Sequence, residues 1–155
     1  MKFGWINALG AGFIVLMMIP NIVYAIKNKG EKSLCTNTLM NVTEQIGRYG
    51  CIILMWLPFP VPEFGFRSIP EMLLYAAGNG ALLAFYWFVF ARYLKKKTKR
   101  RALILAIAPA CVFLLSGLLL RHWALAGFAV LFAVGHIYVT WKNTESKERQ
   151  RSQDA

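Results

Sequence analysis

Lys95-Lys96-Lys97-Thr98-Lys99-Arg100-Arg101 decides how this chain folds. Every residue of the stretch except Thr98 is cationic, and long apolar runs lie on both sides of it. Such a block has no stable place in hydrocarbon, so it reads as a loop. An excess of Lys and Arg in a short loop marks the cytoplasmic face of a membrane. With that loop inside, the remaining segments take their positions in turn.

Of the 155 residues, 57% are hydrophobic, 14% aromatic and 16% charged, and the mean hydropathy is +0.47. A soluble domain carries about 25% charged residues, so water is not the only solvent this chain meets. The net charge of +11 sits in short connections between apolar runs. That distribution orients helices in a bilayer and does not build a nucleic-acid face. The expected partners are membrane lipids, with anionic headgroups at Lys95–Arg101, where each cation contributes about 1 kcal/mol of attraction. The three cysteines form no CxxC and no Cys/His spacing, which leaves them as reduced thiols. The apolar run from Phe3 to Ile26 is too long for a signal-peptide core and has no small-residue cleavage site, so it reads as a retained helix.

The expected fold is an all-α integral membrane bundle of five transmembrane helices, N-terminus outside and C-terminus cytoplasmic, in the cell membrane. The spans fall at about 3–26, 42–58, 71–94, 102–120 and 123–141, forming one domain over 1–141. Residues 142–155 have no apolar periodicity and read as a charged, solvated, partly disordered cytoplasmic tail. This orientation puts every Lys and Arg inside except Lys2, Arg48, Arg67 and Arg121. It also puts Trp5, Trp56, Trp123 and Trp141 at the interfaces. Pro20 and Pro109 predict kinks. The small residues Gly4/Ala8/Gly12, Ala76–Ala81, Ala102/Ala106/Ala110 and Ala129/Ala133/Gly135 predict surfaces of close helix approach. The second span is the least ordinary: its uncharged core from Tyr49 to Phe59 is short, and it works only with Glu44, Gln45 and Arg48 at the cytoplasmic interface.

Most of the few polar groups within the spans share a depth; Asn7, Asn79 and Ser116, in the outer half, are the exceptions. Asn21 lies about 9 Å in from Lys27, and His136 about 8 Å in from Trp141, at helical rise. Glu44 and Arg48 enter from the same side, with Tyr24 nearby in depth. Polar side chains in spans face the bundle interior or a water-filled cavity. The candidate ligand-binding residues are therefore Asn21, Tyr24, Glu44, Arg48 and His136, lining a pocket open to the cytoplasm. In that reading Arg48 receives an anionic group, Glu44 orients Arg48, and His136 with Asn21 supplies hydrogen bonds or a proton. Each residue also has a purely structural reading. Glu44 and Arg48 can pair across four residues, Asn21 can satisfy a carbonyl freed by Pro20, and His136 can be a packing residue.

No serine elbow, zinc-binding HExxH, P-loop or dinucleotide turn is present. Glu44 is the only carboxylate expected within the membrane, so no catalytic residue, metal or cofactor is assigned. Asn41-Val42-Thr43 matches a glycosylation acceptor but falls on the cytoplasmic side. An intramembrane His with a Glu can relay protons, which keeps proton-coupled transport open. Pro20-Asn21 before a Lys-rich loop resembles the Pro-Gln helix of small sugar-carrier half-transporters, without its Gln and over three helices at most. The abundance of Trp is similar to that of tryptophan-rich five-helix porphyrin-binding proteins, whose loop and second-helix motifs are not matched here. Neither resemblance carries a residue role across.

The function expected is binding or transport of a small or amphiphilic ligand through the cytoplasmic-facing pocket. Two other classes stay open. One is an accessory subunit packed against a partner membrane protein through its small-residue faces; the other is an inner-leaflet lipid-modifying enzyme. Self-association is also open.

Overall fold

A computed structural model describes residues 7–27, 34–57 and 66–153. They form five helices in the order α1 (Ala8–Lys27), α2 (Thr38–Trp56), α3 (Ile69–Lys95), α4 (Lys99–Leu119) and α5 (Trp123–Gln153), with no strand among the described residues. Four of them, α1, α3, α4 and α5, are long and apolar enough to cross a membrane, as in a multi-pass membrane protein. The polar first half of α2 keeps it out of that group. Gly4, Trp5 and the prolines at 58, 60 and 62 lie outside the described residues.

Local chemistry sets the helix ends. Asn37 caps α2 by accepting from the Met40 N–H at 3.2 Å, and Ser68 caps α3, with Pro70 in the first turn. Between α3 and α4, Arg101 folds back and donates through one guanidinium nitrogen to the carbonyls of Arg92 and Lys96 at 2.9 and 3.0 Å. The basic stretch is thus mostly helical, with only Lys96–Thr98 outside helices. Arg121 turns the chain from α4 into α5. It sits at φ 54°, in the left-handed region that glycine usually occupies. The Arg121 and His122 N–H groups close the turn onto Leu118 and Gly117 at 3.1 and 2.8 Å. The Arg121 guanidinium then pairs with Glu71 of α3 at 2.5 Å.

The tail expectation needs correcting, because α5 runs on as helix to Gln153. A helix already nucleated within the apolar bundle adds residues without paying the nucleation step again. Side-chain spacing supports the extension. Glu145 pairs with Lys142 at 3.1 Å and with Arg149 at 2.9 Å, and Asn143 accepts from the Leu34 N–H at 2.7 Å. Apolar periodicity, the sequence criterion used for this segment, does not register a helix held this way.

Within the bundle, α5 is central and packs most extensively on α2 and α4; α3 lies on α4, and α1 leans on α3 and α2. The α2–α5 crossing is antiparallel and very close. A Cβ added to Gly135 would lie 2.6 Å from the Glu44 backbone nitrogen, and one added to Gly47 would lie 2.6 Å from Phe132 Cα. Two helix backbones therefore touch where one residue of each contacting pair is a glycine. On α1 the close approach falls at Gly10, against the Met55 carbonyl, whereas a Cβ on Gly12 would meet nothing within 4 Å. The cationic segments converge on one end of the bundle, where Lys97 lies over Tyr24 and Lys99 over Trp141, 5.5 and 5.7 Å from the ring centres.

Candidate functional site

Glu44 heads the buried face of α2, which continues through Gly47, Cys51 and Met55. Its residue is 5% exposed, an uncommon position for a carboxylate unless it is paired. The pairing follows from the bare backbone at Gly135. Because α5 comes so close there, the adjacent His136 reaches across, and its Nδ1 lies 2.8 Å from Glu44 Oε1. With the carboxylate ionised, that nitrogen carries the proton and donates. Arg48, one turn further along α2, pairs with the same oxygen. One carboxylate oxygen thus holds two side chains from two helices.

Both side chains continue into a cavity of about 180 Å³ bounded by all five helices. Asn21 enters it from α1 and Tyr86 from α3. Pro109 and Phe113 belong to α4, and Ile52 and Phe132 close the α2–α5 side. The His136 ring stacks on Phe132, centroids 4.8 Å apart and planes 16° apart, and Phe132 meets Phe113 edge-on at 5.7 Å. Asn21, Arg48, Tyr86 and His136 give the lining its polar groups and the rest is apolar, an arrangement suited to a ligand with a polar head and an apolar body.

Asn21 donates to the Met17 carbonyl at 3.2 Å and accepts from the Tyr86 hydroxyl at 3.1 Å. The carbonyl freed by Pro20 is that of Leu16, four residues back. It accepts from Trp87 Nε1 of α3 at 3.2 Å, so the indole and not Asn21 satisfies the carbonyl that Pro20 frees. Tyr24 is not among the lining residues; its ring lies beside Tyr93, centroids 6.1 Å apart, under the Lys97 ammonium. Of the five sequence-selected residues, Asn21, Arg48 and His136 meet on the cavity wall, Glu44 stands behind them, and Tyr24 lies apart. Tyr86, Phe113 and Phe132 were not selected. The signal for Tyr86 was its helical register with Tyr75, Asn79 and Leu83, which together form the buried face of α3.

Asn7, Asn79 and Ser116, at the other end, are partnered within the structure. Asn7 donates to the Met55 carbonyl at 3.2 Å and accepts from the Gly10 N–H at 3.0 Å. Ser116 donates to Asn79 at 3.3 Å. Among the described residues, no group of three His, Cys, Asp or Glu side chains could hold a metal ion. No family model, curated protein or solved structure matches this chain.

Proposed function

We propose that this chain is a five-span protein of the cell membrane, N-terminus outside and C-terminus cytoplasmic, whose cavity binds or transports a small amphiphilic ligand with an anionic head. The observation that carries the reading is that Arg48, His136 and Asn21, from three helices, line one cavity whose other residues, Tyr86 apart, are apolar. In this reading Arg48 receives the anionic group, Asn21 adds a hydrogen bond through its amide, and the apolar body lies against Met17, Ile52 and Phe113. Support for α2 as the fifth span comes from its register with α5. Glu44 meets Gly135, Gly47 meets Phe132 and Gly50 meets Phe128, so α2 keeps step with an apolar helix in the opposite direction. The basic end faces the cytoplasm in this proposal, with Lys97 and Lys99 over aromatic rings at headgroup level and Lys95–Arg101 against anionic lipid.

Three probes with one octyl chain and different heads test the reading: octanesulfonate, octanol and octyltrimethylammonium. Titrated into protein-filled nanodiscs of zwitterionic lipid, with empty nanodiscs subtracted, octanesulfonate should bind at least about tenfold more tightly than the other two. That ratio corresponds to about 1.4 kcal/mol. Arg48→Gln should erase the preference. Equal affinity for all three heads, or a preference that survives Arg48→Gln, would show that Arg48 does not receive the ligand.

A further inference from the structure

We infer that the cavity takes up its anionic ligand together with one proton, held on His136; this rests on the ligand site proposed above. The reasoning is charge balance around one oxygen. Glu44 Oε1 pairs with Arg48 and lies 2.8 Å from His136 Nδ1. With a neutral imidazole, the carboxylate and the guanidinium cancel and the empty site carries no net charge. An anion brought to Arg48 places two negative groups around one fixed cation, against walls formed by Met17, Ile52, Phe113 and Phe132. Uncompensated charge in such surroundings is strongly disfavoured.

The other groups facing the pair offer no remedy. From α1 comes Asn21, which is neutral; from α3 comes Tyr86, whose hydroxyl is already given to Asn21; from α4 come Pro109 and Phe113. Imidazole is the side-chain type that exchanges a proton near neutral pH. A proton on the second ring nitrogen of His136 turns its contact with Glu44 into an ion pair and restores neutrality. The Phe132 ring beneath it, 4.8 Å away, is a better neighbour for an imidazolium than for a neutral ring. Glu44 then holds a cation through His136 while Arg48 turns to the ligand. Ligand and proton become thermodynamically linked, each raising the other's affinity by the same factor.

Octanesulfonate is the probe, because its own head does not titrate. Isothermal titration of the nanodisc-embedded protein near neutral pH, in phosphate and in Tris, reads the protons exchanged from the difference between the two heats. About one proton should be taken up per sulfonate bound. On the alkaline side the dissociation constant should rise about tenfold per pH unit. His136→Gln should still bind, about tenfold more weakly, with equal heats in both buffers. Binding by the wild type with equal heats and no pH dependence would overturn the proton inference and leave the ligand site standing. No sulfonate binding at any pH would overturn both. If His136→Gln does not fold, the imidazole NMR signal of His136 in the wild type decides: it should move to the imidazolium position as sulfonate binds, and an unmoved signal would overturn the assignment to His136.

Discussion

Gly135→Leu should yield no folded protein, and Gly135→Ala should lower stability by about 2–3 kcal/mol. The new Cβ would lie 2.6 Å from the nitrogen and 2.7 Å from the Cα of Glu44. Both are backbone atoms of a helix, so neither can yield by a rotamer change. Overpacking ordinarily costs about 1–3 kcal/mol, and here relief requires α2 and α5 to separate. Separation would also pull His136 from Glu44, coupling the packing defect to loss of the buried pair. Gly12→Ala, Gly80→Ala and Gly127→Ala are the controls, since a Cβ at each meets nothing within 4 Å. They should cost nothing, because alanine is the better helix former. Retention of monodisperse protein after stepwise heating in detergent measures the series. An alanine at 135 as stable as one at 80 would refute the backbone contact.

Glu44→Ala should be the most damaging polar substitution, at about 2–3 kcal/mol. Removing one partner of a fully buried ion pair costs about 3–5 kcal/mol, because the remaining charge loses its compensation. Arg48 is partly open, with its side chain 37% exposed, which lowers the expectation. The diagnostic is the double variant. Once Glu44 is gone, Arg48→Ala removes the stranded charge, so Glu44→Ala/Arg48→Ala should be no less stable than Glu44→Ala alone. Simple additivity of the two single losses in the same heating assay would mean that they do not act as a unit.

How much of this was legible in the chain differs residue by residue. The apolar runs around Lys95–Arg101 announce helices because charge cannot follow them into hydrocarbon, and α3, α4 and α5 begin and end within a few residues of those runs, except at the end of α5. That extension is held by Glu145 and Asn143, whose value depends on partners a turn away or on another segment. Gly10 and Gly12 are equivalent as small residues; only the position of the Met55 carbonyl makes Gly10 the contact. The Glu44–Arg48 pair follows from four-residue spacing on one helix. The 92 residues separating Glu44 from His136 carry no such rule, and depth in the membrane was the sole link between them. Among the neighbours Phe85, Tyr86, Trp87 and Phe88, helical register with Asn79 and Leu83 puts Tyr86 on the buried face, but nothing local assigns Trp87 to the carbonyl that Pro20 frees. Packing against α1 makes that assignment.

The cavity needs α2 to lie across the membrane beside α5, and thiol accessibility tests that most directly. With Cys35, Cys51 and Cys111 replaced by serine or alanine, single cysteines would be introduced as Thr36→Cys and Ser68→Cys, flanking α2. A membrane-impermeant maleimide, applied to intact cells and to inverted vesicles, reports the face of each. The account predicts labelling of position 36 only from the cytoplasmic side and of position 68 only from outside. Labelling of both positions from the same side would contradict it.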